Sequence, residues 1–193
     1  MFERFFAQHP MVPSDDQMLR MEAVETIEHC LTRGEDAEFI AFMEAQIASR
    51  PPRLELLRDV ADELLMRLLA LRQQRDDVRD RVVGMLLDEY GIDLSGLCPA
   101  DAPEQYERLS VDEIISPALH SLSEAAAQDL PLIRKTVQAS LEMVRQLSAD
   151  IRLTERLHQT VTDWLTGLSA ASSRSLLTQR SRPDRKDETQ RLH

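Results

Sequence analysis

The sequence predicts an all-α fold: a helical bundle built on two long heptad-patterned antiparallel helices, with shorter N-terminal and inserted helices. Two stripes carry this prediction, because apolar side chains that recur every three or four residues form one face of a helix. The first stripe comprises Leu54, Leu57, Ala61, Leu64, Leu68, Leu71, Arg75, Val78, Val82 and Met85. The second comprises Leu130, Ile133, Val137, Ser140, Val144, Leu147, Ile151, Thr154, His158, Val161, Leu165 and Leu168. Their similar lengths favour two long helices that pack against each other.

Two shorter helices are expected before the first stripe. Ser14 and Gln17 fit a capping box, in which the serine hydroxyl and the glutamine side chain each bond to the other residue's backbone N–H. The helix that starts there is expected to end at Gly34, because glycine readily adopts the left-handed conformation that stops a helix. A second helix is expected over 35–49, before the Pro51–Pro52 pair.

The first long helix is expected from Pro52 to Tyr90 and the second from Pro131 to about Leu168, since proline is favoured at the first helical position. The middle of the first long helix, residues 72–77, is polar and is expected to meet water or a partner. Its first half carries apolar residues beyond the stripe and is expected to be buried among other helices. These additional apolar residues are Leu56, Val60, Leu65, Met66 and Leu69.

A loop and a short, broken helical segment are expected between the two long helices. Gly91, Gly96, Pro99 and Pro103 indicate the loop, which is longer than most connections between helices. The broken helix is expected over 105–128. Within it, Ser110 begins a second sequence that fits a capping box.

The chain of 193 residues is expected to form one domain with a terminal segment on each side. The α-helical domain is expected over 14–170. The two terminal segments are an aromatic N-terminal arm, 1–13, and a basic disordered tail, 171–193. Residues 174–193 carry six basic and three acidic side chains, whereas the whole chain has a formal charge of -11. An acidic body repels phosphate, so a nucleic-acid accessory function is expected only through the tail.

The cysteines and the N-terminal sequence together predict a cytoplasmic protein. Cys30 and Cys98 are far apart and fit no disulfide framework or zinc-binding spacing, which favours a reducing compartment. The N-terminus lacks the continuous apolar region of a signal peptide. No apolar run is long enough to cross a bilayer, so no membrane association is expected.

A metal-binding bundle enzyme or carrier is one alternative function. Glu155 and His158 form a Glu-x-x-His pair, while Glu22, Glu25 and His29 share one face of the first helix. Dinuclear carboxylate bundles use two Glu-x-x-His motifs, and this chain has one, so the ligand set is incomplete. No nucleophile elbow, phosphate-binding loop or reactive-cysteine signature is present. We therefore expect a protein that is not an enzyme and needs no cofactor.

Arg152 and His158 have a spacing that resembles the Arg-to-His spacing of HEPN ribonucleases, which are also helical. This resemblance covers two residues and implies RNA cleavage. An acidic body is a poor platform for RNA.

The sequence favours a non-catalytic protein-binding subunit, such as an adapter, an assembly chaperone or a structural component of a larger complex. The three phenylalanines of the arm share one helical face and pack either on the chain's own bundle or in a partner's groove. Arg75 interrupts the stripe at a core position and requires an acidic neighbour, either Asp76, Asp80 or a partner's residue. The same stripe also allows a homodimer. The candidate partner-binding residues are Phe2, Phe5, Phe6, Arg72, Arg75 and Arg79.

Overall fold

The structure is a computed structural model that describes residues 14–94, 96, 103–116 and 128–180, and these residues form an all-α bundle. In chain order the described helices are α1 (Asp15–Arg33), α2 (Ala37–Ala48), α3 (Leu54–Tyr90), α4 (Pro103–Arg108), α5 (Val111–Ile115) and α6 (Leu130–Arg180). Within the described ranges, no helix combines the length and the apolar composition that a membrane span needs.

The two long helices, α3 and α6, pack against each other along most of their length and are antiparallel, as predicted. The start of α3 and the middle of α6, residues 153–168, meet in one hydrophobic cluster together with α1 and α2. This first cluster contains buried Ala23, Ile27, Cys30, Phe39, Met43, Leu56, Leu57, Val60, Leu64, Leu153, Leu157 and Val161. The end of α3 and the start of α6 meet in a second cluster together with α4 and α5. The second cluster contains buried Val82, Leu86, Ile92, Leu94, Tyr106, Ile114, Ile115, Ile133, Val137, Leu141 and Val144.

Short-range signals set where the helices begin and end. The Ser14 hydroxyl accepts a hydrogen bond from the Gln17 N–H at 3.3 Å, and the Gln17 side chain accepts one from the Ser14 N–H at 2.9 Å. Gly34 ends α1 with φ 73° and Gly91 ends α3 with φ 67°, both in the left-handed region. A capping box also begins α5 at Ser110. These predicted helix starts and ends are confirmed.

The predicted end of the second long helix, near Leu168, is wrong, because α6 continues to Arg180. The sequence contains no glycine or proline between Gly167 and Pro183. One glycine inside a helix costs about 1 kcal/mol relative to alanine, which weakens a long helix without ending it. The predicted disordered tail covers 171–193, but residues 171–180 belong to α6. Residues 181–193 lie outside the described residues, and for them disorder stays a prediction.

The prediction that the whole apolar first half of α3 is buried is also wrong. Leu56 and Val60 are buried, but Leu65, Met66 and Leu69 are 41%, 65% and 51% exposed. Helix α1 packs on α3 and α6 and, together with α2, contributes to the first cluster, whereas these three side chains lie outside that cluster. The apolar excess of α3 therefore lies partly on the surface of the molecule.

Candidate partner-binding surface

The three arginines that were candidate partner contacts differ strongly in exposure. Arg72 is 47% exposed at its side chain and places its Nη2 2.6 Å from Glu155 Oε1. The side chains of Arg75 and Arg79 are only 14% and 9% exposed. The acidic neighbour expected for Arg75 is confirmed, since its Nη2 lies 3.1 Å from Asp76 Oδ1. Most of this arginine row is thus enclosed by the chain itself.

Arg75 and Arg79 belong to a polar waist, which we define as Arg75, Arg79 and Ser148. Arg79 and Ser148 are buried and Arg75 is partly buried, and all three lie between the two hydrophobic clusters. Arg79 Nη2 lies 2.7 Å from Asp80 Oδ1. Its Nη1 atom and the Ser148 hydroxyl are buried and have no hydrogen-bond partner among the residues that the structure describes. Burying an unpaired polar group costs about 1–3 kcal/mol. The waist therefore contains polar groups whose burial opposes the packing of α3 on α6.

The residues of the metal alternative are not assembled into a ligand set. His29 Nδ1 lies 3.1 Å from Glu38 Oε2 on α2, and Glu155 pairs with Arg72. In the part of the chain that the structure describes, no group of three or more His, Cys, Asp or Glu residues is arranged to hold a metal ion. Glu22 and Glu25 are exposed on α1.

Helix α1 exposes large apolar side chains on the side away from its buried face. The buried face consists of Ala23, Ile27 and Cys30. Met18 and Met21 are 55% and 58% exposed, and they are three positions apart, which makes them neighbours on the helix surface. Apolar residues on α1 therefore lie on two faces, and only one of them contributes to the first cluster.

Two ion pairs join α1 to α3 along a seam next to these methionines. Arg20 Nη2 lies 2.6 Å from Asp59 Oδ2, and Arg67 pairs with Glu28. Val24, which is 39% exposed, and Glu63 line a small cleft between the two helices. The seam runs with both helices in the same chain direction, because residues 20 and 28 of α1 pair with residues 59 and 67 of α3.

Exposed apolar residues flank this seam on both helices. Met21 directly follows Arg20, and Met66, which is 65% exposed, directly precedes Arg67. Met18 and Val24 each lie three positions from Met21 and extend the same surface along α1. We call these four residues the methionine surface.

Charged side chains lie beside the methionine surface. The hydrogen bond from the Arg67 guanidinium, together with its positive charge, holds the pKa of the Glu28 carboxyl below its ordinary value, although burial acts in the opposite direction. Glu22, Glu25 and Glu63 are exposed around the methionines. The surface is therefore apolar at its centre and mainly acidic at its edge.

Sequence reasoning missed the methionine surface. Met18, Met21 and Val24 follow one another at helical spacing in the sequence, but spacing cannot say which of two apolar faces is buried. A signal was available in the alternation of Met21 with Glu22 and Glu25, because residues that neighbour charges on a helix face are usually exposed. The three arm phenylalanines, Phe2, Phe5 and Phe6, lie outside the described residues.

Comparison with known proteins assigns no function to this surface. No family model, no curated protein and no solved structure matches the chain.

Proposed function

We propose that this chain is a non-catalytic protein-binding subunit, an adapter, assembly chaperone or structural component of a larger complex, that binds its partner through the methionine surface. The observation that carries the proposal is the exposure of three methionines and a valine on one seam between two helices. Contiguous apolar side chains surrounded by polar residues are typical of protein interaction sites. Methionine also adapts its shape to a partner at low cost, because its side chain is unbranched and flexible.

The chemistry of the surface favours an amphipathic helix as the bound element. An apolar stripe on such a helix would cover Met18, Met21 and Met66, which are presented by two adjacent helices. Basic residues beside that stripe would complement the exposed carboxylates of Glu22 and Glu25. We assign this interaction to a reducing, cytoplasmic compartment, in accord with the free and buried thiol of Cys30.

Affinity purification of the tagged full-length chain from its native host tests the proposal. The test variant is Met21→Glu combined with Met66→Glu, which places two charges at the centre of the surface. The control variant is Met143→Glu, which changes a methionine that is 51% exposed on α6 beside the second cluster. Circular dichroism first establishes that both variants keep the helical content of the wild-type chain.

We expect a stoichiometric protein partner that is recovered with the wild-type and control chains. The amount of partner recovered with the double variant is expected to be at least about tenfold lower. Central contacts in an interface often contribute more than 1 kcal/mol each. Two charges placed at such positions are therefore expected to weaken binding by more than a tenfold loss requires. Equal recovery of the partner on the double variant and the control would reject the methionine surface. Recovery of the wild-type chain alone would reject the protein-binding function.

A further inference from the structure

A cleft of about 520 Å³ lies where α1 and α3 begin, beside the linker from α2 to α3. Leu19 of α1 and Leu54 of α3 contribute half-buried apolar side chains to its wall. The linker adds the rings of Pro51 and Pro52. The cleft thus offers apolar contacts from three separate segments of the chain.

The charged groups at the cleft are largely compensated by one another or by nearby residues. Arg53 Nη1 lies 3.4 Å from Asp16 Oδ1, and Arg20 pairs with Asp59. Arg50 also lines the cleft, and an aromatic ring can stack on its guanidinium as well as contact the apolar wall. An aromatic side chain is therefore better suited to the cleft than a charged ligand.

The chain itself supplies aromatic side chains next to this cleft. Residues 1–13 precede Ser14, which caps α1, and Asp16 in the first turn of α1 already lines the cleft. Phe5 and Phe6 are separated from Ser14 by fewer than ten residues. Eight residues extend to at most roughly 26–29 Å, so the arm can fold back across the opening.

We propose that Phe5 and Phe6 of the N-terminal arm occupy this cleft of the same chain. Tethering favours this arrangement, because a short linker gives the arm an effective concentration in the millimolar range at the cleft. Burial of phenylalanine rings against leucine and proline provides the driving force. The proposal goes beyond the proposed function and concerns a different surface. It assigns the arm to the chain's own bundle instead of to a partner.

Photo-crosslinking within the full-length chain tests this placement. Phe6 is replaced by the photoreactive analogue benzoylphenylalanine, and equal amounts of ¹⁵N-labelled and unlabelled chains are mixed before irradiation. We expect adducts on peptides that contain Leu19 or residues 50–56, with both parts of each adduct carrying the same isotope. Adducts that mix the isotopes would show that the arm binds a second copy, and adducts elsewhere or none would reject the cleft. Each of these three results overturns the proposal.

A pair of variants at Leu54 makes the test specific. Leu54→Asp places a carboxylate in the wall of the cleft, at the first turn of α3, where the helix tolerates an acidic residue. Leu54 is not among the buried residues of either hydrophobic cluster, so the fold is expected to remain intact. The crosslink yield is expected to fall several-fold in Leu54→Asp and to stay near the unsubstituted level in Leu54→Met. Equal yields in the two variants would contradict the proposal.

Discussion

The two ends of the bundle are built from the same pair of long helices, yet among the described residues one end exposes more large apolar side chains than the other. Around the first cluster, six large apolar side chains among the described residues are exposed: Met18, Met21, Val24, Leu65, Met66 and Leu69. Around the second cluster the exposed residues of this kind are Leu87, Leu132 and Met143. Each end also has its own buried core, so the extra exposed residues are not needed to complete one.

The comparison distinguishes apolar residues that stabilise the fold from apolar residues that are exposed on the surface. In α3, Leu64 is fully buried while its neighbour Leu65 is 41% exposed. Two adjacent leucines of one helix thus differ in role: Leu64 packs in the core and Leu65 lies at the surface. The end of the molecule with α1 and α2 therefore carries the proposed interaction, and the polar waist divides it from the other end.

The largest expected effect distinguishes these two neighbouring leucines. Leu64→Ala is expected to lower the free energy of unfolding by about 2–5 kcal/mol, because it leaves a cavity in the first cluster. Leu65→Ala is expected to cost less than about 1 kcal/mol, since much of that side chain already contacts water. Urea denaturation followed by circular dichroism measures both. Similar losses for the two variants would contradict the assignment of Leu65 to the surface.

Replacement of the buried arginine of the waist is expected to stabilise the protein. Arg79→Met removes the buried Nη1, which has no hydrogen-bond partner within the described part of the chain, and leaves Asp80, which is 66% exposed, in water. We expect the free energy of unfolding to rise by about 1–2 kcal/mol, because the cost of desolvating a buried charge can exceed what its ion pair contributes. The matched variant Arg72→Met changes an exposed ion pair and is expected to stay within about 0.5 kcal/mol of the wild type. A loss of stability in Arg79→Met would show that the arginine stabilises the waist.

Loss of one helix cap is expected to have a moderate and local effect. Ser14→Ala removes the acceptor for the Gln17 N–H and is expected to cost about 1 kcal/mol. Amide hydrogen exchange is expected to accelerate in α1 and to change little in α5, whose cap at Ser110 is intact. Ser110→Ala provides the reciprocal control. Equal acceleration at both ends in either variant would show that the two ends do not open independently.

The smallest expected effect concerns the ion pair on the seam. Because hydrogen bonding from Arg67 lowers the pKa of Glu28, this pair stabilises the fold at pH values above the ordinary glutamate pKa. That stabilisation is lost as the pH falls through the lowered pKa of the folded state. Arg67→Met is expected to raise the pKa of Glu28 toward its ordinary value. Carboxyl ¹³C NMR titration measures the change, and an unchanged pKa would rule out Arg67 as its cause.

Local sequence signals predicted most of the fold and little of the candidate site. The helix starts at Ser14 and Ser110 and the helix end at Gly34 could be predicted, because a cap or a left-handed turn depends on a few adjacent residues. The extension of α6 beyond Gly167 was missed because one glycine does not decide a helix end. Burial of Arg79 could not be predicted, since it depends on how α6 covers α3.

The most direct test of the central claim is methionine oxidation footprinting of the chain, free and within its purified native complex. Hydrogen peroxide converts accessible methionine to its sulfoxide, which mass spectrometry quantifies at each position. We predict that Met18, Met21, Met66 and Met143 are all oxidised in the free chain. In the complex, the first three are predicted to be protected while Met143 reacts at its free rate. Protection of Met143 alone, or of none of the four, would contradict the assignment of the partner to the methionine surface.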